Sequence, residues 1–486
     1  MNHSTKRAFL CKVTISIAVA LFFIPGITSA QEPPQYVKDW IEFAKTSGNA
    51  ADQKWAELLN HPDVWALQKG WKEWRGYDVF SLLEEARKKG EIPEELKPGL
   101  VITQDNYKNF AWLPKVLPQA VIDRLADKQW FPLKQIRVLP NTSYYMTKNR
   151  LEGTKKETGQ YYVTDAGGVR IKNCVTCGPG GEDTWALRSQ GLPFAPKPKD
   201  GWELIWLHMA YDIGNDALYF KPVDFISCDS KNKVERIQSA HLWWMRFHGR
   251  VDYEPLPEFP RMEEVFQGGA IFWLHPFDVK GLCGVRLRYF DPLKEDSFKV
   301  YIPTLRRTRV LAGSDTQDPL CVNCDLTWDE WRAFWQQINR ADQDYQIIGE
   351  GWILAPSERG MVDRGLVFTD CEFKSADVEL RPVWILEMRD KTGKYQYSKR
   401  LLWIDKEFYY VQMTEMYDKK GNLWRAWWDD VRYWNPRSGN SLWRGVTLWD
   451  PINRHLTFLQ MDVDFEESRT GTKAQYFDIE TLRTYK

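Results

Sequence analysis

From about Ile136 the chain breaks into short runs rich in Tyr, Trp, Val and Thr, alternating with polar residues and punctuated by tight polar clusters. "LRYFDPLKEDSFKVYI" (287–302), "VWILEMRDKTGKYQYSKRLLWID" (383–405) and "YYVQMTEMYDKKGNLWRAWW" (409–428) each read as two strands joined by a short polar loop. So short a loop joins antiparallel neighbours only, because a parallel pair needs a crossover of a dozen residues or more. Repetition of this unit sets the class: α+β, with a large antiparallel sheet or open barrel over residues 136–486. The chain's 25 tryptophans suit a wide packed sheet, an apolar cavity or a sugar-stacking surface.

Residues 31–135 carry a different period. "QYVKDWIEFAKTSG", "AADQKWAELLNHP" and "YDVFSLLEEARKKGE" place apolar residues three and four apart and end near Gly or Pro. "LPQAVIDRLADKQ" is a fourth such segment, so a mainly helical N-terminal region is expected. One further helix is expected inside the sheet region near 327–339, where Trp328, Trp331, Phe334 and Trp335 share a helical face and Thr327 can cap.

Residues 1–30 combine Lys6, Arg7 and Lys12, the apolar run Val13–Phe23 and the small-residue ending Thr28-Ser29-Ala30. That is the pattern of a secretory signal peptide cleaved after Ala30, and its apolar run is shorter than the roughly 20 residues of a membrane span. An exported, soluble mature chain is expected. Its formal charge is near zero and acids are interleaved with the Trp–Arg stretches, so no field for nucleic acid arises.

Export makes disulfides the default for the cysteines beyond the signal, and their odd number leaves at least one thiol unpaired. Cys174 with Cys177 and Cys321 with Cys324 form two Cys-x-x-Cys pairs. Neither is followed by His, which excludes c-type haem attachment, and the interval between the pairs far exceeds that of a zinc ribbon. All four are candidates for disulfides or structural thiols. Redox work is disfavoured because "NCVTCGPGGED" reads as a Gly-rich loop rather than a helix start. No His-Glu-x-x-His, Gly-x-Ser-x-Gly, P-loop or Rossmann glycine pattern is present. No catalytic residue, metal or cofactor is assigned.

"YIPTLRRTRVLAGS" (301–314) sets Arg306, Arg307 and Arg309 inside an extended segment, with Arg307 and Arg309 on one face and Arg306 on the other. An unpaired guanidinium under a sheet is costly, whereas a bidentate pair with a carboxylate is tolerated. The acids just downstream, Asp318, Asp325 and Asp329, are the natural partners, so a clamp tying strand to helix is expected. The alternative is an arginine group at a cavity mouth or partner surface.

"YxPxLRRxRxL" followed by Asp318 and "DLTWD" resembles domain-of-unknown-function family 1329, exported Gram-negative proteins akin to outer-membrane lipoprotein-sorting proteins. "GLPFAPKPKDGWELIWLH", "YQIIGEGWILAP", "YSKRLLWID" and "MYDKKGNLWRAW" extend the resemblance, in order, over roughly residues 100–430. It carries onto Tyr301, Pro303, Arg306, Arg307, Arg309, Asp318, Asp325, Trp328, Asp329, Tyr397, Arg400 and Trp424. Val310 and Cys324 depart from the family's usual residues, and its "DGTIP-x-W" signature is missing, which marks residues 31–99 as a separate elaboration.

The resemblance implies a LolA/LolB-type carrier: an antiparallel half-barrel around helices with a cavity for acyl chains. It also implies periplasmic work near the outer membrane, beside a resistance-nodulation-division (RND) exporter and a porin-like partner. The reading is therefore a non-enzymatic carrier or chaperone of an amphiphilic or lipid-like cargo. Two alternatives stand beside it: a secreted carbohydrate-active or Cys-x-x-Cys enzyme, and an envelope assembly subunit without ligand.

Overall fold

The structure, a computed structural model, describes residues 32–172, 190–211, 216–362, 371, 375–461 and 469–485. The expected signal segment and the Cys174/Cys177 pair lie outside the described residues. Pro33–Lys486 form one compact unit.

Helices α1 (Gln35–Ser47), α2 (Ala50–Leu59), α3 (Pro62–Arg75) and α4 (Val79–Lys88) open this unit. Strands β1 (Val101–Thr103) and β2 (Gln135–Val138) flank α5 (Gln119–Ala126). Helix α6 (Lys148–Glu157), a small pair β3 (Tyr161–Val163) and β4 (Val169–Ile171), and α7 (Gly201–Ala210) follow. Then come β5 (Ala217–Cys228), β6 (Val234–Arg246), β7 (Val265–His275), β8 (Cys283–Tyr289), β9 (Ser297–Ile302) and β10 (Arg307–Leu311). The remaining strands are β11 (Gln343–Pro356), β12 (Ser375–Asp390), β13 (Lys399–Asp405), β14 (Val411–Tyr417), β15 (Leu423–Trp434), β16 (Ser441–Asp450) and β17 (His455–Met461), with a short closing helix α8 (Ile479–Leu482).

All of these strands except β3 and β4 join one fifteen-stranded sheet, in the order β1-β2-β12-β13-β14-β15-β16-β17-β5-β6-β7-β8-β9-β10, with β11 on the other edge of β12. Every pairing is antiparallel except β2 with β12. The three expected hairpins are β8–β9, β12–β13 and β14–β15. Turn chemistry fixes the last of them. Asp418 Oδ1 accepts from Lys420 N and Asn422 N at 2.8 Å, and Gly421 takes the left-handed position at φ +86°. The sheet does not close on itself: β10 pairs only with β9, and β11 only with β12.

The tryptophans are explained by burial of the sheet on both faces. Trp244 and Trp427 pack into the main core with α1–α3 and α7, which we call the inner side. Their strand neighbours Trp243 and Trp428 point the opposite way and are just as buried. Trp428 lies in a second core with α5 residues, and Trp243 in a third with Phe477, Ile479 and Leu482 near the C-terminus. Helix α7 is buried on every side, as its apolar sequence "GWELIWLHMA" demands, and Asp200 caps it by accepting from Trp202 N and Glu203 N at 2.9 Å.

Residues 33–99 belong to the same compact unit as the sheet. Trp40, Trp55 and Trp71 sit in the main core, and Asp52 of α2 pairs with Arg137 of β2 at 2.7 Å.

The helix expected over 327–339 does not form. Only Trp331–Ala333 make a single 3-10 turn, with Arg332 and Ala333 in the left-handed region at φ +61° and +64°. The aromatic residues occupy separate seats on different strands. Trp331 packs against Phe220 and Trp443, Trp335 lies over Gly269, and Trp328 lies against Gly284 and Phe298. Burial in three seats outweighs the helical period.

Candidate functional site

Residues 312–342 form a strap with little regular structure across the inner side of β5–β9. Glycines prepare its seats. A Cβ on Gly269 of β7 would stand 3.2 Å from the Trp335 ring, and one on Gly284 of β8 would stand 3.0 Å from Trp328. Arg332 is held by donating Nη2 to Tyr211 O at 2.7 Å and Nη1 to Gln267 Oε1 at 3.1 Å, and its guanidinium lies 4.7 Å from the Trp244 ring centre.

The strap is fastened to β8 by a buried ionic group. Arg286 donates Nε to Asp296 Oδ2 at 2.8 Å, Nη2 to Asp329 Oδ1 at 2.9 Å and Nη1 to Trp328 O at 3.0 Å. Arg288, two residues along on the same face, donates Nη2 to Asp296 Oδ2 at 2.7 Å and to Trp335 O at 2.8 Å. Asp329 also accepts from Thr316 Oγ1 at 3.0 Å and Tyr395 Oη at 3.1 Å. Burial raises the cost of charge on Asp296, yet the two guanidiniums outweigh it and hold its carboxyl below the usual range. Two cations and two carboxylates thus neutralise one another.

On one side of this group lies a polar cleft of about 320 Å³, lined among others by Arg286, Asp329, Thr316, Gln336, Asn339 and Tyr395. On the other lies an apolar pocket of about 20 Å³, room for about one water, lined by Leu242, Gly269, Ile271, Trp328, Trp331 and Trp335. They share a wall: the Arg286 guanidinium faces the cleft and lies 4.8 Å from the centre of the Trp335 ring that faces the pocket.

The structure separates the residues singled out in the sequence. Asp329 and Trp328 belong to this wall. Arg307 and Arg309 do not: they are exposed on the edge strand β10, as is Arg306 in the turn before it, and none makes an ion pair among the described residues. The expected clamp to Asp318, Asp325 or Asp329 is therefore absent. An edge strand open to water on both faces lets each guanidinium stay hydrated. Asp318 is exposed. Asp325 binds His455 Nδ1 at 2.7 Å and Thr457, and that carboxylate with Glu235 raises the histidine's pKa against the opposing effect of burial.

Tyr397, Arg400 and Trp424 lie behind the cleft. Tyr397 Oη donates to Glu330 and accepts from Arg425 Nη1 at 2.9 Å. Arg400 bonds to Tyr395 Oη and faces Glu330 at 3.9 Å. Trp424 donates Nε1 to Asp450 at 2.9 Å. Cys321 and Cys324 form a disulfide in the strap, and Cys228 pairs with Cys371, a bridge that spacing alone did not indicate. Cys283 is a buried thiol.

Sequence reading missed Arg286, Arg288, Asp296 and Gln336. The available signal was "VRLRY", two arginines two residues apart in a strand, with an acid across the following loop. Among the described residues no three His, Cys, Asp or Glu side chains are placed to hold a metal ion, and no helix is long and apolar enough to cross a membrane.

A family profile described as "Protein of unknown function (DUF1329)" matches residues 101–483. No curated protein matches the chain. Among solved structures, a DUF1329 protein from Desulfovibrio piger is 17% identical with a TM-score of 0.41, covering 58% of this chain and 97% of its own. A Vibrio parahaemolyticus domain, provisionally described as an outer membrane lipoprotein-sorting protein, is 15% identical with a TM-score of 0.41, covering 58% and 98%. A LolA superfamily protein from Nitrosomonas europaea is 10% identical with a TM-score of 0.33, covering 57% and 99%.

Proposed function

The chain belongs to the DUF1329 family, and on that premise we propose that it is an exported periplasmic carrier or chaperone of an amphiphilic cargo. Residues 1–30 act as the signal peptide. The cargo is a lipid, a lipoprotein acyl group or a similar molecule, handed on near the outer membrane; a porin-like protein and an RND-type exporter are candidate partners.

One observation carries the reading: the polar cleft and the tryptophan-lined pocket share the Arg286–Trp335 wall. A molecule with a polar head and an apolar tail matches that pair of environments. In this closed form the pocket is too small for a chain, so the tail enters as the strap lifts. Left-handed backbone at Arg332 and Ala333 costs roughly 1–2 kcal/mol per residue and marks where the strap stores strain for that movement. Each methylene then buried returns roughly 0.8 kcal/mol.

Native mass spectrometry of protein purified from its own periplasm, together with uptake of a fluorescent fatty acid, tests the proposal. Co-purified lipid and saturable uptake are expected. Absence of both co-purified lipid and probe uptake would refute it.

A further inference from the structure

We infer that the polar cleft is a binding site for a polyhydroxylated ring, the saccharide head of a glycolipid or an equivalent free sugar. The inference deepens the carrier reading by naming the head group, and it rests on that reading for the tail.

The cleft's chemistry is the ground. An anionic ligand gains little here, because Arg286 and Arg288 are already matched by Asp296 and Asp329 at 2.7–2.9 Å and further carboxylates line the cleft. The rest of the lining mixes the amides of Gln336 and Asn339 and the hydroxyls of Thr316 and Tyr395 with the carboxylates of Glu295, Asp342 and Asp390, acceptors for ligand hydroxyls, and the single ammonium of Lys394. Carboxylates whose positions are already fixed can each accept further hydrogen bonds, and a hydroxyl that both donates and accepts suits such a mixed floor. A volume of about 320 Å³ lies at the lower end for small-molecule sites, which begin at about 300 Å³.

Gln336 supplies the independent observation. Its residue is only 6% exposed, it lines the cleft, and its side-chain oxygen has no hydrogen-bond partner among the described residues. A buried acceptor left unmatched is costly, and its own fold gains nothing from it. A turn of the side chain that brings this oxygen to the cleft would let a ligand hydroxyl satisfy it. The unmatched oxygen also discriminates: the choline of a phospholipid has no hydrogen to give it, and a fatty carboxylate brings only acceptors.

The test uses the full mature chain, with dodecyl maltoside, dodecylphosphocholine, dodecanoate and free maltose as probes, each below its micelle concentration, in calorimetric titrations. Dodecyl maltoside is expected to bind at least tenfold more tightly than the other two dodecyl probes. Gln336→Leu, which removes the unmatched acceptor together with its amide NH2, is expected to unfold at nearly the same urea concentration as the native chain while losing that preference and keeping dodecanoate binding. Equal affinity for all three dodecyl probes, unchanged in Gln336→Leu, overturns the saccharide site and leaves the carrier reading standing. Maltose binding as tightly as dodecyl maltoside, and weakened by Gln336→Leu, upholds the saccharide site as one for free sugar and overturns the carrier reading. No binding of any probe overturns both.

Discussion

Asp329→Asn isolates the charge that fastens the strap. The substitution keeps shape and volume but removes the negative charge that faces Arg286 Nη2 at 2.9 Å, where both side chains are nearly inaccessible to water. Removing one partner of a buried pair costs about 3–5 kcal/mol, chiefly because the surviving charge is left uncompensated. Here Asp296 still holds Arg286 Nε at 2.8 Å, so the cost falls at the lower end, about 3 kcal/mol. Urea unfolding followed by tryptophan fluorescence gives the number, since Trp328 and Trp335 flank the pair. Adding Arg286→Met to Asp329→Asn removes the stranded cation, and the double variant is expected to be more stable than the sum of the two single losses by 1 kcal/mol or more. A loss below about 1 kcal/mol for Asp329→Asn, or strict additivity in the double variant, would refute the argument that this pair holds the wall between cleft and pocket.

Gly269→Val should fill the seat of Trp335, because a Cβ there already stands 3.2 Å from its ring. Fatty-acid probe uptake is expected to fall at least tenfold; unchanged uptake places the tail elsewhere. His208 of α7 is fully buried, and burial pushes its pKa down to about 3, so the native state holds it neutral while the unfolded chain takes up a proton below about pH 6.5. Its contribution is present above that pH and is lost as pH falls, by up to about 1.4 kcal/mol per unit. The stability of the native chain relative to His208→Gln should therefore fall between pH 6.5 and 4.5; a flat difference contradicts this. The Cys228–Cys371 bridge spans 143 residues, and Cys228→Ser is expected to cost about 2–5 kcal/mol through the freed unfolded chain. Peptide mapping without reductant should recover the linked pair, and a different partner for Cys228 would disprove the pairing.

How far the sequence disclosed this molecule depends on whether a pattern was local. Hairpins are local: alternation, a loop of a few residues and an Asp or Gly in the turn act within twenty residues, so β12–β13 and β14–β15 were legible at once. The face of a helix is local too, but its reward is not. "TWDEWRAFWQQIN" has a helical period and is not a helix, because Gly269, Gly284 and Phe220 on three strands offer seats that no periodicity announces. The arginines show the same limit most sharply. "VRLRY" in β8 and "RRTRV" around β10 carry the same spacing of two, and an argument from charge and alternation applies equally to both. What separates them is strand order. β8 lies between β7 and β9 under the strap, so Arg286 and Arg288 need carboxylates and have them; β10 has a neighbour on one side only, so water serves Arg307 and Arg309. The physical rule that a buried guanidinium demands a carboxylate was sound, and Asp329 was one of the acids it named. Which strand would be buried is settled by the pairing of segments far apart in the chain, and that is where the reading of residues 301–314 had to stop.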